Sequence, residues 1–247
     1  MGIAKELAKS ILPKSAVYAL RKAKQDKKFA EYDDLSNREA FRKIYKEGIW
    51  GESDSEEFYS GPGSHFDSYN RTYAQTIRDF IEMNGVTSVV DIGCGDFTIG
   101  RQIVESLPGL QYTGVDIVPE VIENNQSKNT YDNVTFMCSD MAVEDLPDAD
   151  LCLIKEVWQH LSNDTIMTCL DKTRKYKYRI VTEYYPAENK FKKPNLDKPT
   201  GPTTRTISGS AVCLDKEPFN QKCTELLKVE VPQHIYYPGE TLRSFLL

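Results

Sequence analysis

From Ser88 onward the chain alternates short apolar runs with amphipathic stretches. Ser88–Ile92, Tyr112–Ile117, Val134–Cys138, Asp150–Ile154 and Arg179–Thr182 are short and rich in Val, Ile, Leu and Cys. Runs of this kind predict strands buried on both faces of a parallel sheet. Between them, Arg101–Leu107, Pro119–Asn125 and Asp164–Lys175 carry apolar residues at helical spacing. Upstream, the same spacing predicts helices over Asn37–Glu47 and Tyr69–Asn84, the second with Tyr73, Ile77, Phe80 and Ile81 on one face. Downstream, Lys228–Tyr237 and Leu242–Leu247 read as strands joined by a Pro238-Gly239 turn, a closing antiparallel hairpin. Strand and helix in alternation predict an α/β fold with a mainly parallel sheet.

Two junctions in this pattern carry chemistry. After the first strand come Gly93-Cys94-Gly95, and a helical pattern resumes at once. Glycine allows a sharp turn and close approach of a ligand, and the helix N-terminus behind it favours an anion. A dinucleotide fingerprint would place a third glycine at Thr98. Instead Asp91 precedes the glycines, an acid that suits a ligand bearing an ammonium group. The second strand ends in Asp116, 23 residues after Gly93. An acid at that strand end accepts two hydrogen bonds from ribose hydroxyls in alternating β/α folds.

Asp91-x-Gly93-x-Gly95 after an apolar strand resembles motif I of the class I S-adenosylmethionine-dependent methyltransferases, with Asp96 where that family usually has its third glycine. The resemblance implies a Rossmann-like, doubly wound, mainly parallel seven-stranded sheet with a C-terminal antiparallel hairpin. It implies S-adenosylmethionine as cofactor, S-adenosylhomocysteine as product and no metal. Asp91, Gly93, Cys94, Gly95 and Phe97 would then belong to the cofactor loop, with Asp116 and Ile117 at the ribose. Asp140 and Met141, after the third strand, would flank the adenine, and Lys155 would reach the cofactor. A narrower likeness covers Ser60-Gly61-Pro62-Gly63-Ser64, Gly95-Asp96-Phe97, Trp158–Leu161 and Leu214–Asn220. These stretches resemble a bacterial methyltransferase group found among glycan-assembly proteins, and imply O-methylation of a sugar or glycan intermediate. A small-molecule or protein acceptor is the alternative, favoured if Tyr184, Tyr185 and Trp50 enclose an aromatic pocket. A non-catalytic module is the remaining one.

The acceptor chemistry is expected at the edge above the fourth and fifth strands. His160 offers a neutral imidazole to an acceptor proton, with Glu156 as the neighbouring candidate. Glu183, Tyr184 and Tyr185 end the fifth strand at the same edge. Residues 187–220 form a long irregular connection, expected to bind the acceptor through Arg205. The glycine-rich loop with His65 is expected to face ligand as a lid or to serve as a plain connector.

Charge divides the chain. Residues 1–30 hold eight Lys and Arg against Glu6 and Asp26, whereas the whole chain carries −6. We therefore separate a basic helical arm, 1–35, from a methyltransferase domain, 36–247. The arm either packs on the domain or touches an anionic membrane surface or an acidic glycan-assembly partner. The acidic total disfavours nucleic acid. No apolar run reaches the length of a membrane span, and no secretory segment is expected. The six scattered cysteines show neither disulfide nor zinc spacing. A cytoplasmic protein follows, peripheral to the membrane if the arm binds there.

Overall fold

The computed structural model describes residues 30–53, 57–65, 67–231 and 239–247. The basic arm up to residue 29, and residues 232–238 of the expected hairpin, lie outside that range.

Seven strands form one sheet: β1 Ser88–Ile92, β2 Gln111–Asp116, β3 Val134–Cys138, β4 Leu151–Lys155, β5 Tyr178–Tyr185, β6 Thr224–Glu230 and β7 Thr241–Leu246. Their order is β3-β2-β1-β4-β5-β7-β6. The first five pair in parallel, and β7 runs antiparallel between β5 and β6. Alternation along the central strands loads both faces. Val89, Leu151, Leu153 and Ile180 enter one core, and Val90, Ile92, Cys152 and Ile154 the other. Helices α3 Asp67–Asn84 and α4 Thr98–Val104 cover the first face through Tyr73, Ile77 and Ile103. Helices α1 Asn37–Lys46 and α6 Asn163–Lys172 cover the second through Phe41, Ile44 and Ile166. A four-residue helix, α2 Pro62–His65, precedes α3, and α5 Pro119–Lys128 links β2 to β3. This is the doubly wound arrangement expected from the sequence.

Local chemistry sets the helix starts. Ser36 and Glu39 form a reciprocal capping box at α1. Ser162 caps α6, and Pro119 opens α5.

Two elements differ from the expected ones. Strand β5 does not stop at Thr182. Glu183, Tyr184 and Tyr185 continue it, because they pair with Arg243, Leu242 and Thr241 of β7. Strand β6 begins at Thr224 instead of Lys228. It is the sheet edge, bonded to β7 alone, and its charged residues Glu225, Lys228 and Glu230 hide it from an apolar-run reading.

Candidate active site

The strand order reverses between β1 and β4, which opens a crevice at the carboxyl ends of the strands. A cavity of about 570 Å³ lies there. That volume suits a small ligand with its partner.

The first wall is the glycine turn. Gly93 and Gly95 take φ of +76° and +53°, conformations that favour glycine. A Cβ on Gly93 would lie 2.3 Å from Val157 Cγ2, and one on Gly95 2.3 Å from Ser60 Oγ. The turn's N–H groups face β2, however. Gly93 and Cys94 donate to the Val115 carbonyl at 2.7 and 3.0 Å, and Gly95 donates to Asp116 Oδ2 at 3.1 Å. The glycines therefore supply clearance, and the donors expected at this turn are already engaged.

Asp116 ends β2 on the cavity wall. Its Oδ1 accepts from Val118 N at 3.0 Å, and the Ile117 N–H also faces the carboxylate. Burial pushes its carboxyl up to about 6, against the pull of its backbone donors, so it is mainly ionised at neutral pH. A carboxylate with both oxygens fixed by backbone donors on a cavity wall is suited to a vicinal diol. Next to it stand Ile117, Asp140 and Met141. Asp140 Oδ1 accepts from Ala142 N at 2.9 Å, and its other oxygen has no such backbone partner. Two acids and two apolar side chains thus share this stretch of the lining.

The far wall comes from β4 and the turn that follows. Lys155 and Glu156 pair with each other beside the cavity, and Glu156 holds φ of +59°. Such a conformation is strained for a non-glycine residue and is maintained here by its surroundings. A short 3-10 turn, Trp158–His160, then presents His160. Its Nδ1 donates to the Gly201 carbonyl at 3.3 Å, so the lone pair sits on Nε2, 3.5 Å from the Gln159 amide nitrogen. The imidazole is 6% exposed. Burial lowers it to about 3, with Lys198 and Arg205 adding to the shift.

That shift has a consequence for folding. Below pH 6.5 the unfolded chain binds a proton that the folded imidazole refuses, so this contribution to stability falls as pH falls from 6.5 toward 3. Replacing His160 with glutamine removes it. The advantage of the natural protein over His160→Gln in urea titrations should shrink by about 1.4 kcal/mol per pH unit below 6.5.

A third wall is aromatic. Phe41 and Tyr45 of α1, with Ile49 and Trp50, close over the crevice. Trp50 lies 5.1 Å from the His160 ring, 5.5 Å from Tyr45 and 6.1 Å from Phe41. Its indole N–H donates to the Pro202 carbonyl at 3.2 Å, which ties this wall to the 187–220 segment. That segment adds Thr203, Thr204, Thr206 and Ile207 to the lining.

The glycine-rich loop completes the enclosure, with Ser60 to Ser64 on the cavity. Asp96 holds it there. Its Oδ2 accepts from Ser60 N at 2.9 Å and bonds His65 Nε2 at 2.7 Å, while Oδ1 accepts from Thr98 N at 3.1 Å. Burial would raise the Asp96 carboxyl, but these partners keep it below its ordinary value.

Several residues expected at the site are elsewhere. Asp91 lies off the lining, accepting from the Tyr112 hydroxyl, and burial raises it to about 6. Phe97 points into the core against Tyr112 and Phe136. His65 stacks on Tyr59 at 4.5 Å and serves the loop through Asp96. Tyr184 bonds the Tyr69 hydroxyl at 2.7 Å, and Tyr185 donates to the Val212 carbonyl at 2.7 Å. Both are buried because they belong to β5. Glu183 accepts from Trp158 N and Gln159 N at 2.8 and 3.2 Å, behind the 3-10 turn. Arg205 donates to the carbonyls of Leu196 and Leu161, each at 2.6 Å, and not into the cavity. By contrast, Thr203 and Thr206 are on the lining without a sequence signal, since single polar residues in loops carry no periodicity.

Among the described residues no group of His, Cys, Asp and Glu could hold a metal ion, and no helix is long and apolar enough to cross a membrane. All six cysteines are free thiols.

The comparisons agree with this geometry. A cephaeline 6'-O-methyltransferase of Carapichea ipecacuanha is 28% identical over 144 residues, 58% of this chain and 35% of that one. An isoflavone-7-O-methyltransferase of Medicago sativa is 33% identical over 105 residues, 42% of this chain and 27% of that one. The chain thus spans well under half the length of these curated relatives. The methyltransferase domain of a bacterial Hen1 protein superposes with a TM-score of 0.51 at 16% identity, covering 72% of this chain and 99% of that one. A family model described as the O-methyltransferase domain matches residues 29–177, which include the glycine turn, Asp116, Asp140 and the His160 turn. The chain belongs to the O-methyltransferase domain family.

Proposed function

We propose that this chain is an S-adenosylmethionine-dependent O-methyltransferase for a small hydroxyl-bearing acceptor with an aromatic or apolar body. The observation that carries this reading is the make-up of the cavity lining: the glycine turn, Asp116, Asp140 and Met141 share it with the aromatic cover of Phe41, Tyr45 and Trp50, and His160 lies against Trp50.

When bound, S-adenosylmethionine supplies a methyl group on a positively charged sulfur, activated for in-line displacement. Gly93 and Gly95 give clearance for it, Asp116 would hold the ribose, and Asp140 with Met141 would hold the adenine. The aromatic wall would orient the acceptor, and the loop latched by Asp96 would exclude water. Orientation of this kind is worth up to about 7–11 kcal/mol in ideal cases. His160 Nε2 would take the acceptor's proton. A weak base is adequate, because an alcohol oxygen becomes strongly acidic as its new bond to carbon forms.

The relatives named for cephaeline and isoflavone support a compact polycyclic or phenolic acceptor. A sugar hydroxyl, the acceptor implied by the narrower resemblance, is the second reading. The hydroxyls of Thr203, Thr204 and Thr206 and the amide of Asn37 on the lining favour it.

Transfer of labelled methyl from S-adenosylmethionine to a panel of phenols and a panel of nucleotide sugars separates the two. Label in phenols alone supports the first reading, and label in sugars alone replaces it with the second. Absence of calorimetric binding of S-adenosylmethionine would overturn both. Trp50→Ala should raise the KM for a phenolic acceptor by roughly tenfold, as expected for loss of an aromatic contact surface, with cofactor affinity changed less than about threefold.

A further inference from the structure

The 3-10 turn that presents His160 is too short to hold itself. Within it, only His160 N→Val157 O at 3.1 Å and Leu161 N→Trp158 O at 3.0 Å close turns. Other backbone groups of the turn are satisfied from outside, by the side chains of Glu183, Lys198 and Arg205 and by Gly201. At the front, the Glu183 carboxylate, 1% exposed, takes the N–H groups of Trp158 and Gln159. At the back, Lys198 Nζ donates to the His160 carbonyl at 3.0 Å and to the Pro199 carbonyl at 2.7 Å. Arg205, 1% exposed, donates to the Leu161 carbonyl at 2.6 Å. Gly201 N also donates to the His160 carbonyl, at 2.9 Å, while the Gly201 carbonyl receives the ring N–H.

Burial pushes the Glu183 carboxyl up to about 8 and the Lys198 ammonium down to about 7, so hydrogen-bond acceptors at the start and donors at the end, and not a fixed pair of opposite charges, hold this turn. Burying an arginine and a half-buried lysine is expensive unless their donors are used. Both spend donors on the carbonyls that end this one turn, and Arg205 adds Leu196 of its own segment. The same segment touches the cavity through Thr203, Thr204, Thr206 and Ile207, with Arg205 turned the other way between them.

We propose that Lys198 and Arg205 are positioning residues: from the 187–220 segment they clamp the end of the His160 turn and fix the imidazole with its proton on Nδ1 and its lone pair on Nε2. Its catalytic meaning rests on the reading of His160 as the proton acceptor. The clamp itself is a matter of geometry and can be tested without an acceptor.

The test is the tautomer of His160, read by nitrogen-15 NMR of the purified full chain with labelled histidine. The chain has three histidines, and the His160 signals are assigned by their loss in His160→Gln. In the natural protein they should show Nδ1–H alone. Lys198→Met keeps the apolar stem and removes the donors, and Arg205→Lys keeps the charge and removes the fork. Each should convert the His160 signal into a tautomer mixture, with calorimetric affinity for S-adenosylmethionine changed less than threefold. Lys198→Arg should restore the single form. An unchanged Nδ1–H tautomer in both variants would overturn the clamp. So would cofactor affinity lost together with the tautomer, which would mark these residues as general supports of the fold. If Arg205→Lys does not fold, Lys198→Met decides alone.

Turnover separates this proposal from the reading it rests on. With an acceptor found in the methyl-transfer panels, Lys198→Met should lower kcat by about ten- to a hundredfold, the scale of a misplaced catalytic group. It should lower it no further in a His160→Ala background, since residues acting as one unit are not additive. Full activity in His160→Ala would overturn the base reading and leave the tautomer result standing. Equal losses in both backgrounds would overturn the positioning role.

Discussion

Asp116→Ala should weaken S-adenosylmethionine binding by about 10²–10⁴-fold in calorimetric titration, while the protein still unfolds cooperatively. The magnitude follows from the carboxylate's geometry. Hydrogen bonds to charged groups contribute about 1.5–3 kcal/mol each, and a ribose offers two. Asp116 is ready for them because Gly95 N and Val118 N each occupy one of its oxygens and hold the group still. Removing it has two opposed effects on the empty fold. The backbone N–H groups of Gly95 and Val118, and that of Ile117 beside them, lose their acceptor, at about 1–3 kcal/mol each if water does not replace it. Against that, a buried carboxyl raised to about 6 is itself costly to keep charged, and its removal relieves that burden. Stability should therefore fall modestly compared with affinity. Asp116→Asn refines the test, since it keeps an acceptor oxygen and the volume but loses the charge. It should bind the cofactor more tightly than Asp116→Ala and more weakly than the natural protein. Unchanged affinity in both variants would remove Asp116 from the ribose and leave the acid at Asp140 as the better partner.

The parts of the site that were legible beforehand lie where local pattern and position in the fold coincide. An apolar run ending in Gly93-Cys94-Gly95 can hardly be anything but a strand feeding a tight turn. An acid closing the next such run must then stand beside that turn, because β2 pairs with β1 in register from Gln111 to Val115. Asp140 and Met141 follow from β3 by the same logic. What escaped depends on partners far along the chain. Nothing near Arg205 announces that its guanidinium will bond the carbonyl of Leu161, 44 residues away. A lone arginine in an irregular segment looks like a ligand contact because the backbone carbonyls that need it are invisible in the sequence. Tyr184 and Tyr185 look like the rim of the site until β7 pairs with them and extends the strand. The aromatic wall was visible only as composition. Phe41, Tyr45 and Trp50 stand over the cavity because α1 packs on the second face of the sheet, which no local pattern specifies.

Asp96 shows how a departure from a family pattern acquires a local use. A third glycine would leave the turn free of side chain. Here the carboxylate instead gathers Ser60 N, Thr98 N and His65, and Tyr45 OH reaches the same cluster through Ser60 Oγ at 2.9 Å. The glycine turn after β1, the glycine-rich loop and the aromatic helix are thereby joined at one buried point. The absence of a Cβ on Gly95 makes room for Ser60 in that junction. Gly63 serves the loop's other end, since a Cβ there would fall 2.0 Å from Glu156 Oε2.

His160→Ala should keep cofactor affinity within about threefold and lower kcat by about 10²–10⁴-fold, the usual worth of a positioned proton acceptor. A ring held near 3 raises the question of whether it can act as a base at all. Its depressed value means that it is neutral throughout the physiological range, with its proton on Nδ1 toward the Gly201 carbonyl and its Nε2 lone pair 3.5 Å from the Gln159 amide nitrogen. It need not draw the proton from a resting hydroxyl. It needs to receive the proton once the acceptor oxygen has begun to bond carbon, when that proton is far more acidic than any imidazolium. The pH–rate profile carries the signature of this arrangement. Turnover in the natural protein should show no acidic limb from His160 between pH 5 and 8, unlike an exposed histidine titrating near 6.5. His160→Gln should be as inactive as His160→Ala, because an amide fills the space without accepting a proton. If His160→Ala keeps its turnover, the proton goes elsewhere. The candidate is then Glu156, which lines the cavity beside Lys155 in a strained backbone conformation. Glu183 is excluded from that role by position, since its carboxylate is committed to the backbone of the turn behind the cavity wall.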